Sequence, residues 1–129
     1  MTTVHVGLAC SSEANADRFY RDLLGLKKAE PKTLRRSLSK AIFNIDSDLK
    51  VINYSDSGSH FEVFIHSECG TIQQPINHIS IEVEDLTAFL NKGRAMNVKL
   101  LQVPKDGIVL SFAYDFDGNL FELKEKLIS

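Results

Sequence analysis

The sequence predicts an α+β fold built from two tandem β-α-β-β-β modules. Three observations lead to this prediction: a repeated pair of segments, alternating residues typical of strands, and one helical apolar stripe in each half. Val4–Leu8 matches Asn77–Ile81, and Gly58–Val63 matches Gly118–Leu123. The same pattern in both halves supports the assignment of each. We therefore expect a single domain with one module over about 1–69, a linker at about 70–75, and a second module over about 76–129.

The first module is predicted to begin with a half-buried strand at Thr3–Cys10, where apolar residues alternate with small or polar ones. Ser11–Glu13 offers N-cap chemistry for a helix, and Gly25 is a natural C-cap. Apolar residues recur between them at helical spacing: Ala16, Phe19, Tyr20, Leu23 and Leu24. Three further strands are predicted at Ala41–Ile45, Leu49–Tyr54 and His60–His66.

The second module repeats this order with a strand at Ile76–Val83 and Asp85 as the N-cap of a helix. Leu86, Phe89, Leu90 and Met96 form the helical stripe. Strands follow at Val98–Val103, Ile108–Tyr114 and Leu120–Glu125.

Composition excludes several classes of function. The chain has 129 residues and a net charge of −2. The pair Arg35-Arg36 is isolated rather than part of a basic stripe, so nucleic acid is not an expected partner. No apolar run approaches the length of a membrane span, and Cys10 and Cys69 form no C-x-x-C motif. A cytoplasmic protein without a membrane or nucleic-acid partner is therefore expected.

The chemistry is expected at four residues that occupy matching places in the repeat: His5, Glu62, His78 and Glu122. Two imidazoles and two carboxylates on separate strands suit one divalent transition metal, namely Ni²⁺, Zn²⁺, Co²⁺, Mn²⁺ or Fe²⁺. His60 and His66 share a strand face with Glu62 and compete with it as ligands. Glu62 is preferred because it alone matches Glu122, whereas His60, near a turn, is expected to be exposed.

The separation between the His and the Glu is 57 residues in the first copy and 44 in the second. The least regular stretch, Lys27–Lys50, is expected to absorb this difference. Strand alternation places all four ligands opposite the face that packs on helices. They converge only if the other sheet face is concave, and a substrate pocket is then expected at Gly7, Ala9, Phe64, His66 and Ser80.

These motifs closely resemble the vicinal-oxygen-chelate superfamily, which includes glyoxalase I, bleomycin resistance proteins and extradiol dioxygenases. The resemblance covers the whole chain. It is carried by the opening His5–Leu8, the helix Arg18–Gly25, the second opening His78–Val83, and the turn and strand Asp115–Leu123. It implies the glyoxalase/bleomycin resistance fold, in which the two modules form a concave, partly closed mixed β-sheet with helices outside.

Within the superfamily, the order His-Glu-His-Glu is similar to that of glyoxalase I. The resemblance implies a metal-dependent lyase or isomerase whose ion chelates vicinal oxygens of a small carbonyl substrate or thiol adduct and stabilises an enediolate. Either Glu62 or Glu122 would exchange between ligand and base. The alternatives are an epimerase of the methylmalonyl-CoA type, a thiol transferase to fosfomycin-like epoxides, and a non-catalytic small-molecule binding protein.

Two positions depart from glyoxalase I. That enzyme generally has Arg four residues after its first His, where this chain has Ala9, and Asn four residues after its first Glu, where this chain has His66. Both family residues bind glutathione, so the resemblance implies the metal chemistry more firmly than the thiol. It also implies a homodimer, with each metal site built either within one chain or from two.

Overall fold

The computed structural model describes residues 1–69 and 76–127. The chain divides into two compact units, Met1–Thr71 and Ile72–Ser129. The predicted linker at about 70–75 lies outside the described residues.

The sheet of the first unit has the strand order β1-β5-β4-β2, and a further short strand, β3, also pairs with β4. Its strands are β1 (Val6–Cys10), β2 (Lys27–Lys28), β3 (Lys32–Leu34), β4 (Leu49–Ser55) and β5 (His60–Ile65). Its helices are α1 (Glu13–Ala16), which continues as a π-helical segment (Asp17–Leu23), and α2 (Arg36–Phe43). β1 is parallel to β5, and the other pairs are antiparallel.

The predicted helix after the first strand is confirmed. The Ser12 side chain accepts a hydrogen bond from the Asn15 backbone N–H at 3.1 Å, which caps the helix. Gly25 follows the helix in the left-handed region with φ +74°, a conformation that glycine adopts without strain.

The core of this unit is aromatic and lies between the helix and the sheet. Tyr20 packs against Tyr54 and Phe61 with ring centroids 5.6 and 5.5 Å apart. The Tyr54 hydroxyl donates to Asp17 Oδ1 at 2.8 Å. Burial, followed by this hydrogen bond, raises the pKa of Tyr54. The opposite face of the sheet is therefore the one left for a ligand.

The predicted strand at Ala41–Ile45 is wrong, because this stretch belongs largely to α2. The pairs Leu38 and Ile42, and Ser39 and Phe43, are each four residues apart, so they line one side of a helix rather than alternate across a sheet. Asn44 ends the helix in the left-handed conformation, with φ 59°. β2 and β3 pair with β4 in its place. An added helix thus lies inside Lys27–Lys50, where the first copy was expected to be longer.

The sheet of the second unit has the same arrangement, with the order β6-β9-β8-β7. Its elements are β6 (His78–Val83), α3 (Leu86–Ala95), β7 (Lys99–Lys105), β8 (Ile108–Tyr114) and β9 (Leu120–Glu125). β6 is parallel to β9, and the other pairs are antiparallel. The Asp85 side chain accepts from the Ala88 N–H at 3.0 Å, so the predicted N-cap is confirmed. β6 begins two residues later than predicted.

The turn before β9 is held by one side chain. Asp115 Oδ1 accepts from the backbone N–H groups of Asp117 and Asn119 at 2.9 and 2.8 Å. Gly118 has φ +89°. These bonds fix the start of β9, two residues before Glu122.

The predicted α+β fold is confirmed, with two mixed sheets that share one strand order. Among the described residues, no helix combines the length and apolar character that crossing a membrane requires.

Candidate functional site

The first pair of predicted ligands lies at the parallel strands β1 and β5: His5 directly precedes β1, and Glu62 is within β5. Gly7 pairs with Glu62, and His5 lies two residues before Gly7 on the same face. The distance from His5 Nε2 to Glu62 Oε1 is 3.8 Å, and the side chains are 42% and 27% exposed. Two ligands that each lie about 2.0–2.2 Å from one ion can be separated by up to about 4 Å. This pair therefore fits a metal.

His60 is nearer to this pair than expected. It is half-buried rather than exposed, so that prediction is wrong. Its Nε2 lies 2.7 Å from Asn53 Oδ1, and its ring centroid is 5.8 Å from that of His5. This contact occupies Nε2, so Nδ1 is the ring nitrogen of His60 left for another partner. The His60 ring thus lies beside the His5 ring and is held by Asn53.

The second pair repeats the register of the first. Ser80 pairs with Glu122, and His78 lies two residues before Ser80, as His5 lies before Gly7. His78 Nδ1 is 2.8 Å from the Ile76 carbonyl oxygen, so Nδ1 donates to this oxygen and Nε2 is the ring nitrogen left for another partner. Metal-binding histidines usually donate their second ring N–H in this way.

Glu122 also has a cationic neighbour on its own strand. Lys124 Nζ lies 3.9 Å from Glu122 Oε2, and the two side chains are 57% and 20% exposed. An ion pair with a lysine this exposed is easily replaced by water and contributes little stabilisation. The carboxylate therefore remains available as a ligand.

A cavity of about 340 Å³ lies beside the first pair, entirely within the first unit. Four residues predicted for the substrate pocket line it: Gly7, Ala9, Phe64 and His66. His5 and Glu62 also border it, as do Leu8, Phe43, Ile45 and Leu49. The fifth predicted pocket residue, Ser80, is exposed on β6 of the second unit.

Sequence reasoning missed the part of the wall formed by Phe43 and Ile45. The four-residue spacing within α2 was the signal that could have found it. The Phe43 and Phe64 rings meet edge to face, with centroids 5.1 Å apart. α2 thus brings an aromatic side chain onto the ligand face of the sheet.

Gly7 keeps the cavity open at its floor. A Cβ atom at this position would lie 3.5 Å from Phe64 Cε2, which is an ordinary van der Waals contact. A larger side chain would enter the space beside His5 and Glu62.

One predicted imidazole ligand and one predicted carboxylate ligand lie in each unit. Within the described part of either unit, no group of three or more His, Cys, Asp or Glu side chains has metal-binding spacing. Imidazole nitrogen with carboxylate oxygen is a donor set suited to a divalent transition metal. The first pair, His5 and Glu62, offers this donor set at a separation that fits such an ion.

The chain also matches a protein-family model. Residues 2–123 match the family model described as the Glyoxalase/Bleomycin resistance protein/Dioxygenase superfamily. No curated protein sequence matches the chain.

Solved structures show the same fold. A glyoxalase family protein from Enterococcus faecalis is 16% identical, with a TM-score of 0.72, and 95% of each chain is covered. The fosfomycin resistance protein FosX from Listeria monocytogenes is 15% identical, with a TM-score of 0.71, covering 99% of this chain and 95% of the other. The trypanothione-dependent glyoxalase I from Leishmania major is 19% identical, with a TM-score of 0.68, covering 97% of this chain and 86% of the other.

Proposed function

The chain belongs to the glyoxalase/bleomycin resistance protein/dioxygenase superfamily, and from that premise we propose that it is a metal-dependent lyase or isomerase of the glyoxalase I type. Its substrate would be a small α-oxygenated carbonyl compound or a thiol adduct of one. The observation that carries the proposal is the repeated register, in which a His lies two residues before the partner of a Glu in both sheets.

Four residues would hold the metal: His5, Glu62, His78 and Glu122. The ion would be Ni²⁺, Zn²⁺, Co²⁺, Mn²⁺ or Fe²⁺, one per site. When bound, it would supply Lewis acidity to two adjacent substrate oxygens. The 3.8 Å separation of the first pair and the protonated Nδ1 of His78 support this assignment.

The protein's own part in the reaction is proton transfer and orientation. Removal of a proton from carbon next to a carbonyl group needs a base within hydrogen-bond reach. Glu62 borders the cavity, so we propose its carboxylate as the base. Glu122 is the alternative, and it would exchange roles with Glu62 if the substrate approached from the second unit.

The thiol is proposed to be other than glutathione, or absent. Ala9 lines the cavity and offers no charge to a carboxylate, whereas an arginine there would form two parallel hydrogen bonds. His66, also on the cavity wall, replaces the second family residue that binds glutathione.

An assay panel on metal-loaded protein tests this function. The substrates are methylglyoxal with several thiols, methylmalonyl-CoA, and fosfomycin with thiols. We expect isomerisation of an α-oxygenated carbonyl compound, and loss of activity in Glu62→Gln. Turnover of methylmalonyl-CoA would replace the proposal with an epimerase, and thiol addition to fosfomycin would replace it with a transferase. Tight binding without turnover of any substrate would indicate a binding protein. Efficient use of glutathione, at about 10⁴ M⁻¹s⁻¹ or above, would refute the thiol prediction.

We further propose a cytoplasmic homodimer, because small members of this superfamily are often dimers and homo-oligomers are most often two-fold symmetric. If the site is shared, His5 and Glu62 of one protomer would join His78 and Glu122 of its partner. Mixing His5→Ala and His78→Ala protomers would then restore one intact site per heterodimer. Sites built within one chain predict no recovery, and a monomer mass by light scattering would refute the dimer.

A further inference from the structure

The cavity of the first unit has a wall that is mainly apolar. Leu8, Ala9, Phe43, Ile45, Leu49 and Phe64 supply its apolar side chains. Its polar side chains are His5, Glu62 and His66, and the first two are the predicted metal ligands. An apolar group in this space would therefore lie directly beside the reacting end of a substrate.

The described lining residues include no Lys or Arg. Two cations on neighbouring elements, Lys50 and Arg36, bind acidic partners outside the cavity. Lys50 follows Leu49 on β4, so it points to the opposite face, where its Nζ lies 3.0 Å from Glu13. Arg36 at the start of α2 binds both carboxylate oxygens of Asp46, at 2.5 and 3.0 Å. A carboxylate or phosphonate in the cavity would lose its hydration without gaining an ion pair, which is unfavourable.

The volume sets the size of the occupant. An apolar protein cavity of about 150 Å³ accommodates benzene. The cavity here, at about 340 Å³, has room for a group about twice that size. Its volume is also within the range of ordinary ligand pockets.

The wall also favours flat rings. Phe43 and Phe64 meet edge to face with their centroids 5.1 Å apart, and both side chains line the cavity. A third aromatic ring in this space could form offset or edge-to-face contacts with them, and such contacts add to the stabilisation that burial of apolar area gives.

From these observations we propose that the cavity selects an uncharged, aromatic group of the substrate, and that Phe43 from the added helix α2 is a specificity residue. The proposal rests on the proposed function for the substrate's oxygenated end. Binding of the aromatic group itself depends on the cavity and needs no metal.

Two fluorescent probes that share one ring skeleton test this proposal. N-phenylnaphthylamine is neutral, and anilinonaphthalene sulfonate adds one negative charge. Both are titrated into the full-length protein after removal of metal by a chelator, at about pH 8, where free histidine is uncharged. We expect saturable binding of about one neutral probe per chain, at least about tenfold tighter than the anionic probe. Equal or tighter binding of the anionic probe would overturn the proposal, as would no binding of either.

Two cavity variants and one control variant show where the probe binds. Gly7 has no positive φ, so valine fits its extended backbone, and Gly7→Val fills the cavity floor. We expect this change to lower the affinity for the neutral probe at least about tenfold. Phe43→Ala should lower it by a similar factor. Ile42→Ala is the matched control on α2, because Ile42 is 60% exposed and does not line the cavity. It should change the affinity less than about twofold.

Unchanged binding in both Gly7→Val and Phe43→Ala would place the probe elsewhere and overturn the proposal. If Gly7→Val fails to fold by circular dichroism, the comparison of Phe43→Ala with Ile42→Ala decides alone. Metal affinity of the same proteins is measured separately. Intact metal binding without probe binding would refute the aromatic subsite and leave the proposed function standing. Probe binding without metal binding would refute the proposed function and leave the aromatic subsite standing.

Discussion

Glu62→Gln distinguishes Glu62 from its histidine neighbours as the metal ligand. The substitution keeps the shape of the side chain and one oxygen donor, but removes the negative charge. Glu62 is 27% exposed and lies 3.8 Å from His5 Nε2, a contact that glutamine can keep, so the free energy of unfolding should change by less than about 0.5 kcal/mol. The metal affinity should fall strongly.

The expected loss follows from the charge. A carboxylate oxygen about 2.1 Å from a divalent ion gains about 4 kcal/mol even at the dielectric constant of water. The glutamine oxygen recovers part of this, which leaves a loss of about 2–4 kcal/mol. The dissociation constant for metal should therefore rise roughly 30- to 700-fold.

Chelator competition with Zn²⁺ or Co²⁺ measures this change. His60→Gln is the matched control, because His60 faces the same side of β5 and its Nε2 contacts Asn53 at 2.7 Å. We expect it to change the affinity by less than about threefold. The reasoning is refuted if His60→Gln abolishes metal binding while Glu62→Gln leaves it intact.

Two further predictions concern stability. The Ser39 side chain is fully buried, and its Oγ has no hydrogen-bond partner among the described residues. Since such burial costs about 1–3 kcal/mol, Ser39→Ala should raise the free energy of unfolding by about 1 kcal/mol in urea titrations, and a less stable variant would contradict this. Hydrogen bonds from Lys28 and Lys50 hold the pKa of Glu13 below its usual 4.5, so its contribution is present above about pH 4.5 and is lost as the pH falls through the folded-state pKa. Glu13→Gln should thus cost about 0.5–1 kcal/mol at pH 7 and progressively less in acid, and a constant difference down to pH 3 would contradict the ion pairs.

The repeated segments allowed most of the fold to be predicted. Strand alternation around Glu62 and Glu122 identified β5 and β9, and Asp85 correctly marked the start of α3. These features depend on local patterns and short turns, which sequence records directly.

Sequence analysis failed in the added helix α2. The apolar residues at Ala41–Ile45 suggested a strand, because a short apolar run does not distinguish the two kinds of element. Its position against Phe64 depends on packing between distant parts of the chain. The cavity wall at Phe43 could therefore not be predicted.

The candidate site was likewise predictable from the sequence only in part. The repeat singled out His5 and Glu62, and the structure places them 3.8 Å apart. Nothing in the sequence indicated that Asn53 would hold His60 beside them, since that contact depends on the pairing of β4 with β5.

A crystal structure of the protein grown with a divalent transition metal tests the central claim most directly. Anomalous scattering should place one ion per pair of units, about 2.0–2.2 Å from the imidazole nitrogens and carboxylate oxygens of His5, Glu62, His78 and Glu122. A well-occupied ion held by other residues, or no bound ion when these four are accessible, would contradict the account.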